Sequence, residues 1–136
     1  MKAQFPFEYV GELGFGPIYR PIAKVLFQSP QTHVWVKTWM VVDTGADFSI
    51  LPRYIANDLG ISLADDCKKD TISGIGGEQG IYLLKKKIAA KIGNLDCSVP
   101  LAFSDSNEIP ALLGRLGFME TFDTEFLKTH TVVFKS

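Results

Sequence analysis

The sequence predicts an all-β fold with one or two short helical insertions, on three observations. Residues 19–27 and 33–42 are rich in β-branched and aromatic side chains, and residues 88–103 alternate apolar and polar. Clusters such as Ser29-Pro30-Gln31 and Gly76-Gly77 punctuate these runs with turn chemistry. A helical i, i+4 apolar spacing is clearest in one place, at Ile55 and Leu59.

In order along the chain, residues 19–27 and 33–42 form a hairpin across Ser29-Pro30-Gln31. Its second strand begins with mixed polarity at Val34-Trp35-Val36-Lys37 and ends in Trp39-Met40-Val41-Val42, the pattern of a strand entering a core. That strand delivers Asp43 to the interior. A short surface helix follows, with Pro52 near its start and Gly60 as its stop. After a polar stretch around Asp65, Asp66, Lys68, Lys69 and Asp70 comes Ile72-Ser73-Gly74-Ile75-Gly76-Gly77, a glycine-rich hairpin tip between strand-like flanks. Lys85-Lys86-Lys87 on the return strands is expected to be a solvated edge that discourages strand-to-strand aggregation. Residues 88–103 supply two further strands joined at Gly93-Asn94. Leu112-Leu113 begins a strand that passes into a short helix ending near Phe122, and residues 123–134 return to β with a turn at Lys128-Thr129. With no repeat and no linker, residues 1–136 are expected to form one domain.

Composition narrows the function. Fourteen Lys and Arg against fifteen Asp and Glu leave no positive surplus for nucleic-acid phosphates or an anionic membrane surface, so no nucleic-acid or membrane partner is expected. The longest apolar run, Trp39-Met40-Val41-Val42, is far below the roughly 20 residues that span a bilayer. The first residues carry Pro6 and Glu8 where an export signal needs a continuous apolar segment, so a cytoplasmic protein is expected. Cys67 and Cys97 stand alone, outside any Cys-x-x-Cys spacing, and read as reduced thiols. His33 and His130 are the only imidazoles and neither adjoins a ligand cluster, so no metal and no cofactor are expected.

The informative element is Val41-Val42-Asp43-Thr44-Gly45-Ala46-Asp47, an acid, a small hydroxyl residue and a glycine at the end of an apolar strand. Such an approach places a carboxylate where desolvation is costly, which hydrogen bonds or function must offset. A strand-end turn in which Asp and Gly merely cap backbone groups is the plainer account of those residues alone. Two further blocks decide between them. Asp43-Thr44-Gly45-Ala46-Asp47, then Ile72-Ser73-Gly74-Ile75-Gly76-Gly77, then Leu112-Leu113-Gly114-Arg115 match, in order, the catalytic loop, flap tip and supporting segment of the retropepsin-like aspartic proteases. The sequence resembles that family over residues 20–135, and the Ile50-Leu51-Pro52 that follows the first block is typical of its free-standing bacterial members.

The resemblance implies a closed all-β acid-protease barrel with a flap hairpin, and an aspartic endopeptidase. Hydrolysis by paired carboxylates needs two acids that share one proton. The sequence has one Asp-Thr-Gly; Asp123-Thr124-Glu125 puts Glu where two loops need glycine to approach, and reads as a surface strand. A homodimer is therefore implied, with Asp43 and its symmetry mate as the dyad. The resemblance further implies that Thr44 locks the two loops together, that Gly45 permits their close approach, and that Asp47 and Arg115 form a buried ion pair bracing the loop. Ala46 stands where pepsin-type enzymes usually carry serine, which removes a hydrogen bond to the dyad and implies a mildly acidic optimum. Gly74, Ile75 and Gly76 would form the flap tip, with the Ile75 N–H as donor to substrate, and Ile50, Ile109, Pro110 and Leu112 would wall the subsites.

Two departures stand out. Ser73 and Glu78 are polar where retroviral flaps carry glycine and an aromatic residue, and residues 1–16 form an N-terminal arm where retroviral proteases have a short interleaved strand. The leading expectation is cleavage of peptide or protein substrates with apolar residues near the scissile bond. The competing ones are a catalytically silent dimeric module that binds peptides or partners, and a monomer whose N-terminal arm blocks the groove or the dimer.

Overall fold

A computed structural model of the protein describes residues 1–74 and 76–136. As expected, strands dominate. The first two, β1 (Lys2–Pro6) and β2 (Glu8–Leu13), precede β3 (Gly16–Arg20), and the expected hairpin follows as β4 (Ile22–Gln28) and β5 (Trp35–Val42). Its two strands run antiparallel from Ile22↔Val41 to Gln28↔Trp35. The first strand starts later than the sequence suggested, at Ile22 rather than Tyr19, because Pro21 lacks a donor and divides β3 from β4. The turn between β4 and β5 is organised by buried Ser29, whose Oγ accepts the Thr32 N–H at 3.1 Å and donates to the Leu59 carbonyl at 2.8 Å.

β6 (Ser49–Leu51), α1 (Arg53–Asp58) and α2 (Leu63–Asp66) come next. α1 buries Ile55 and Ala56, and the chain leaves it through Gly60 at φ +66°. The polar stretch divides between a helical turn at Asp65 and Asp66 and the start of the next strand, and the turn is capped reciprocally: the Asp65 N–H donates to Ser62 Oγ at 3.1 Å and the Ser62 N–H to Asp66 Oδ2 at 2.8 Å. β7 (Cys67–Gly74) and β8 (Gly77–Leu84) form the glycine-tipped hairpin, in register from Cys67↔Leu84 to Gly74↔Gly77. β9 (Ile88–Ile92) and β10 (Leu95–Val99) are the pair joined at Gly93, and β11 (Leu101–Ser104) follows. Lys85–Lys87 does not lie on a strand edge: the triplet sits in the connection from β8 to β9, where the Lys85 N–H donates to the Asp66 carbonyl at 3.0 Å. After β12 (Leu112–Leu113) a kinked helical segment, Arg115–Met119, leads to β13 (Asp123–Leu127) and β14 (Thr131–Lys135).

Nine strands pair in the order β10-β9-β4-β5-β12-β6-β11-β8-β7. The core is built on the inward alternation of these strands, with Ala23, Val25 and Phe27 of β4 and Met40 and Val42 of β5 all buried. Phe118 of the helical segment meets Phe27 edge-on at 6.4 Å. Pairing between β8 and β11 covers only residues 81–83 of β8, so the distal half of the β7–β8 hairpin is paired within itself.

The N-terminal arm is not a free segment. β1 joins β14 and β13 in a three-stranded sheet, from Lys2↔Lys135 to Pro6↔Thr131, and buries Ala3 and Phe5. Residues 8–20 continue as the separate hairpin β2–β3. Among the described residues no helix is long and apolar enough to cross a membrane.

Candidate active site

Asp43 lies at the junction where β5 leaves the core. The two consecutive residues of β12 hold that junction: Leu113 pairs in parallel with Val42, and Leu112 pairs both with Val41 and, antiparallel, with Ile50 of β6. The short strand β12 therefore sits between the strands that enter and leave the Asp43 loop. Apolar Leu112-Leu113 suits that slot, because Leu113 is fully buried and its carbonyl accepts the Asp43 N–H at 3.0 Å.

The half-buried Asp43 carboxylate is oriented locally. Its Oδ1 accepts the Gly45 N–H at 2.9 Å, an Asx-type turn, while the Ala46 N–H closes on the Asp43 carbonyl at 3.1 Å. A Cβ on Gly45 would lie 3.3 Å from Asp43 Oδ1, so glycine lets the amide come close to the carboxylate without crowding it. Among the described residues no donor other than that amide reaches the carboxylate.

Arg115 braces the loop from the other side. Its Nη1 donates to the Thr44 carbonyl at 2.8 Å, its Nη2 meets Asp47 Oδ1, and its N–H donates to the Ala46 carbonyl at 3.0 Å. One planar fork thus spans Thr44 to Asp47, which a lysine ammonium has no geometry to do. The Asp47–Arg115 pair forms as expected, but it is not buried. The two side chains remain 74% and 40% exposed, because the loop lies at the surface and no described segment covers it.

Thr44 and Gly45 are exposed beside Asp43. Of the expected subsite residues, Ile50 is buried and Leu112 half-buried, and the two are paired directly beneath the loop. Ile109 is half-buried and Pro110 exposed, in the segment that leads into β12. Gly74 and Gly76 are exposed at the hairpin tip, and Ile75 lies outside the described residues.

Several residues that position the site escaped the reading of the sequence. Ser49 is buried and its Oγ accepts the Gly114 N–H at 3.0 Å, tying β6 to the turn after β12. Arg53 Nη1 reaches Asp105 Oδ1 at 2.8 Å, Tyr82 Oη donates to the same oxygen at 3.4 Å, and the Tyr54 N–H donates to Asn107 Oδ1 at 2.9 Å. These contacts join the base of the β7–β8 hairpin, the start of α1 and the segment carrying Ile109 and Pro110. Their partners are 52 or 53 residues apart for Arg53 and Tyr54, and no local spacing signals them.

Residues 35–115, from the start of β5 to Arg115, match the family model described as aspartyl protease. No curated protein matches the chain.

Proposed function

Since this chain belongs to the aspartyl protease family, we propose that it is an endopeptidase that works as a homodimer, with Asp43 and its symmetry equivalent forming the catalytic pair. The observation that carries the reading is the fixing of Asp43 from three directions: its N–H on the Leu113 carbonyl, its Oδ1 on the Gly45 N–H, and its loop on the Arg115 fork. A carboxylate held this rigidly at a strand end, beside an exposed Gly45, suits a role that needs a second carboxylate brought close. The sequence supplies only one Asp-Thr-Gly, so the second comes from another copy of the chain.

Two carboxylates within reach of one proton titrate as a pair, one ionised and one protonated. The ionised member takes a proton from a bound water, whose oxygen adds to the scissile carbonyl carbon while the protonated member donates to the carbonyl oxygen. Proton transfer to the amide nitrogen then releases the amine as the C–N bond breaks. In this reading the nine-stranded sheet curls into the closed barrel of the family and the β7–β8 hairpin acts as a flap. Gly74, Ile75 and Gly76 close over an extended peptide, and Ile50, Leu112, Ile109 and Pro110 favour apolar residues beside the scissile bond. With Ala46 offering no hydroxyl to the pair, the activity peaks at mildly acidic pH rather than at the strongly acidic pH suited to pepsin-type sites.

The test is cleavage of a peptide library by the wild type and by Asp43→Asn, with oligomeric state followed by sedimentation. The expected result is a loss of at least about a thousandfold in turnover with the dimer retained. Equal turnover by the two proteins would sink the assignment. A wild type that dimerises and binds peptides without cutting them would identify a binding module instead.

A further inference from the structure

The hairpin β2–β3 is joined by no other strand among the described residues. An isolated two-stranded ribbon is marginal in water, and this one exposes Tyr9, Val10, Leu13 and Tyr19 along its length. Phe15, in the turn, has 101% of its reference surface in solvent. So concentrated a set of exposed apolar side chains on a projecting element marks an interaction surface.

The root of the hairpin is fixed on both sides. On one, the Phe7 N–H donates to the His130 carbonyl at 2.8 Å, and the Tyr19 ring stacks on the His130 ring at 4.1 Å with 16° between planes. On the other, Arg20 passes into Pro21, whose carbonyl accepts the Val42 N–H at 2.9 Å. Val42 immediately precedes Asp43. The hairpin therefore springs from the strand end that carries the catalytic carboxylate. Its six-residue strand, at about 3.3 Å per residue, carries the tip roughly 20 Å away from that root. A register shift between Tyr9 and Gly11, with Gly11 at φ +126°, adds twist to the ribbon.

We propose that β2–β3 is a dimerisation arm whose apolar tip, Leu13 and Phe15, is covered by a second copy of this chain. The proposal rests on the protease reading, which already brings a second copy against the Asp43 face. That face is where the arm is rooted, so the second copy is the occupant within its reach. Twofold symmetry then lays one arm of each protomer on its partner, giving two equivalent tip contacts per dimer. The arm supplements the pairing of catalytic loops and adds apolar contact that the exposed Asp47–Arg115 region lacks.

The experiment uses the full chain. Leu13→Ser/Phe15→Ser changes only exposed side chains, so an unchanged circular dichroism spectrum identifies a folded variant. Sedimentation is expected to show a dimer dissociation constant raised at least about tenfold. Peptide cleavage is expected to fall at low protein concentration and to recover as concentration rises. A photo-crosslinking amino acid in place of Phe15 is expected to yield covalent dimers.

Dimerisation unchanged in the folded double variant would overturn the arm, as would crosslinks to substrate peptide alone or a monomeric wild type. The two readings fail separately. If the wild type cleaves and the double variant dimerises normally, the arm falls and the protease stands. If the wild type dimerises through the arm yet cleaves no better than Asp43→Asn, the protease reading falls and the arm stands.

Discussion

Gly114 touches the backbone of Phe48: a Cβ at position 114 would lie 2.4 Å from both the carbonyl carbon and the carbonyl oxygen of Phe48, and 2.8 Å from its Cα. The glycine therefore sets how closely the turn after β12 can approach the strand leaving the Asp43 loop. Gly114→Ala must push backbone against backbone, and the Gly114 N–H to Ser49 Oγ bond is lost in the same movement. The expected cost is about 1–3 kcal/mol, read as a lowered melting temperature, together with a fall in peptide cleavage.

Asp47 and Arg115 separate charge from geometry. Because both side chains are substantially exposed, Asp47→Asn is expected to cost less than about 1 kcal/mol of stability. Arg115→Ala also removes the bond to the Thr44 carbonyl, and is expected to lower kcat further than Asp47→Asn does. Arg115→Lys should fall between them, since an ammonium keeps the charge without the fork. Thermal melts and steady-state kinetics on the three variants check this ordering.

Arg53 and Asp105 are half exposed, so breaking their ion pair should barely move the melting temperature. The pair instead positions the segment carrying Ile109 and Pro110. Arg53→Ala and Asp105→Asn are expected to raise KM for apolar peptides about three- to tenfold with a smaller change in kcat. Equal loss in both parameters would show that the cluster acts on the catalytic loop instead.

Burial, reinforced by the neighbouring Asp96 carboxylate, pushes the Cys97 thiol from an ordinary value of 9.0 up to about 11. A raised value means that the folded chain keeps a proton the unfolded chain releases. Stability from this group is thus full below pH 9 and declines as pH rises from about 9 to 11. Alkylation of Cys97 by iodoacetamide near pH 8 should be roughly a hundredfold slower in the folded than in the unfolded protein. Cys97→Ala should flatten the alkaline decline in melting temperature.

Much of this architecture was legible because local pattern and long-range role coincide. The apolar run into Asp43, the glycines bracketing residue 75 and the Leu112-Leu113-Gly114-Arg115 block each occupy the element that their chemistry suggested. What escaped depends on partners far away in the chain. β1 was hidden because five residues with a terminal proline become a strand only by pairing with β14 at the other end of the sequence. α2 carried an unread signal in Ser62 and Asp65, a cap ahead of a helix too short for periodicity to mark. Lys85–Lys87 looked like an edge because sequence cannot distinguish a charged strand from a charged connection. The exposed Asp47–Arg115 pair shows a different limit: composition suggests a partner for a charge, whereas burial depends on which chain covers it.

The bond from Arg115 to the Thr44 carbonyl spans 71 residues of sequence, and this separation has a bearing on biogenesis. As the chain emerges from the ribosome, Asp43 appears well before the strand and the guanidinium that orient it. Contacts so distant in sequence also close slowly. A chain truncated before Leu112 would hold the carboxylate without its scaffold, so the orientation of Asp43 waits on the synthesis of Leu112 to Arg115.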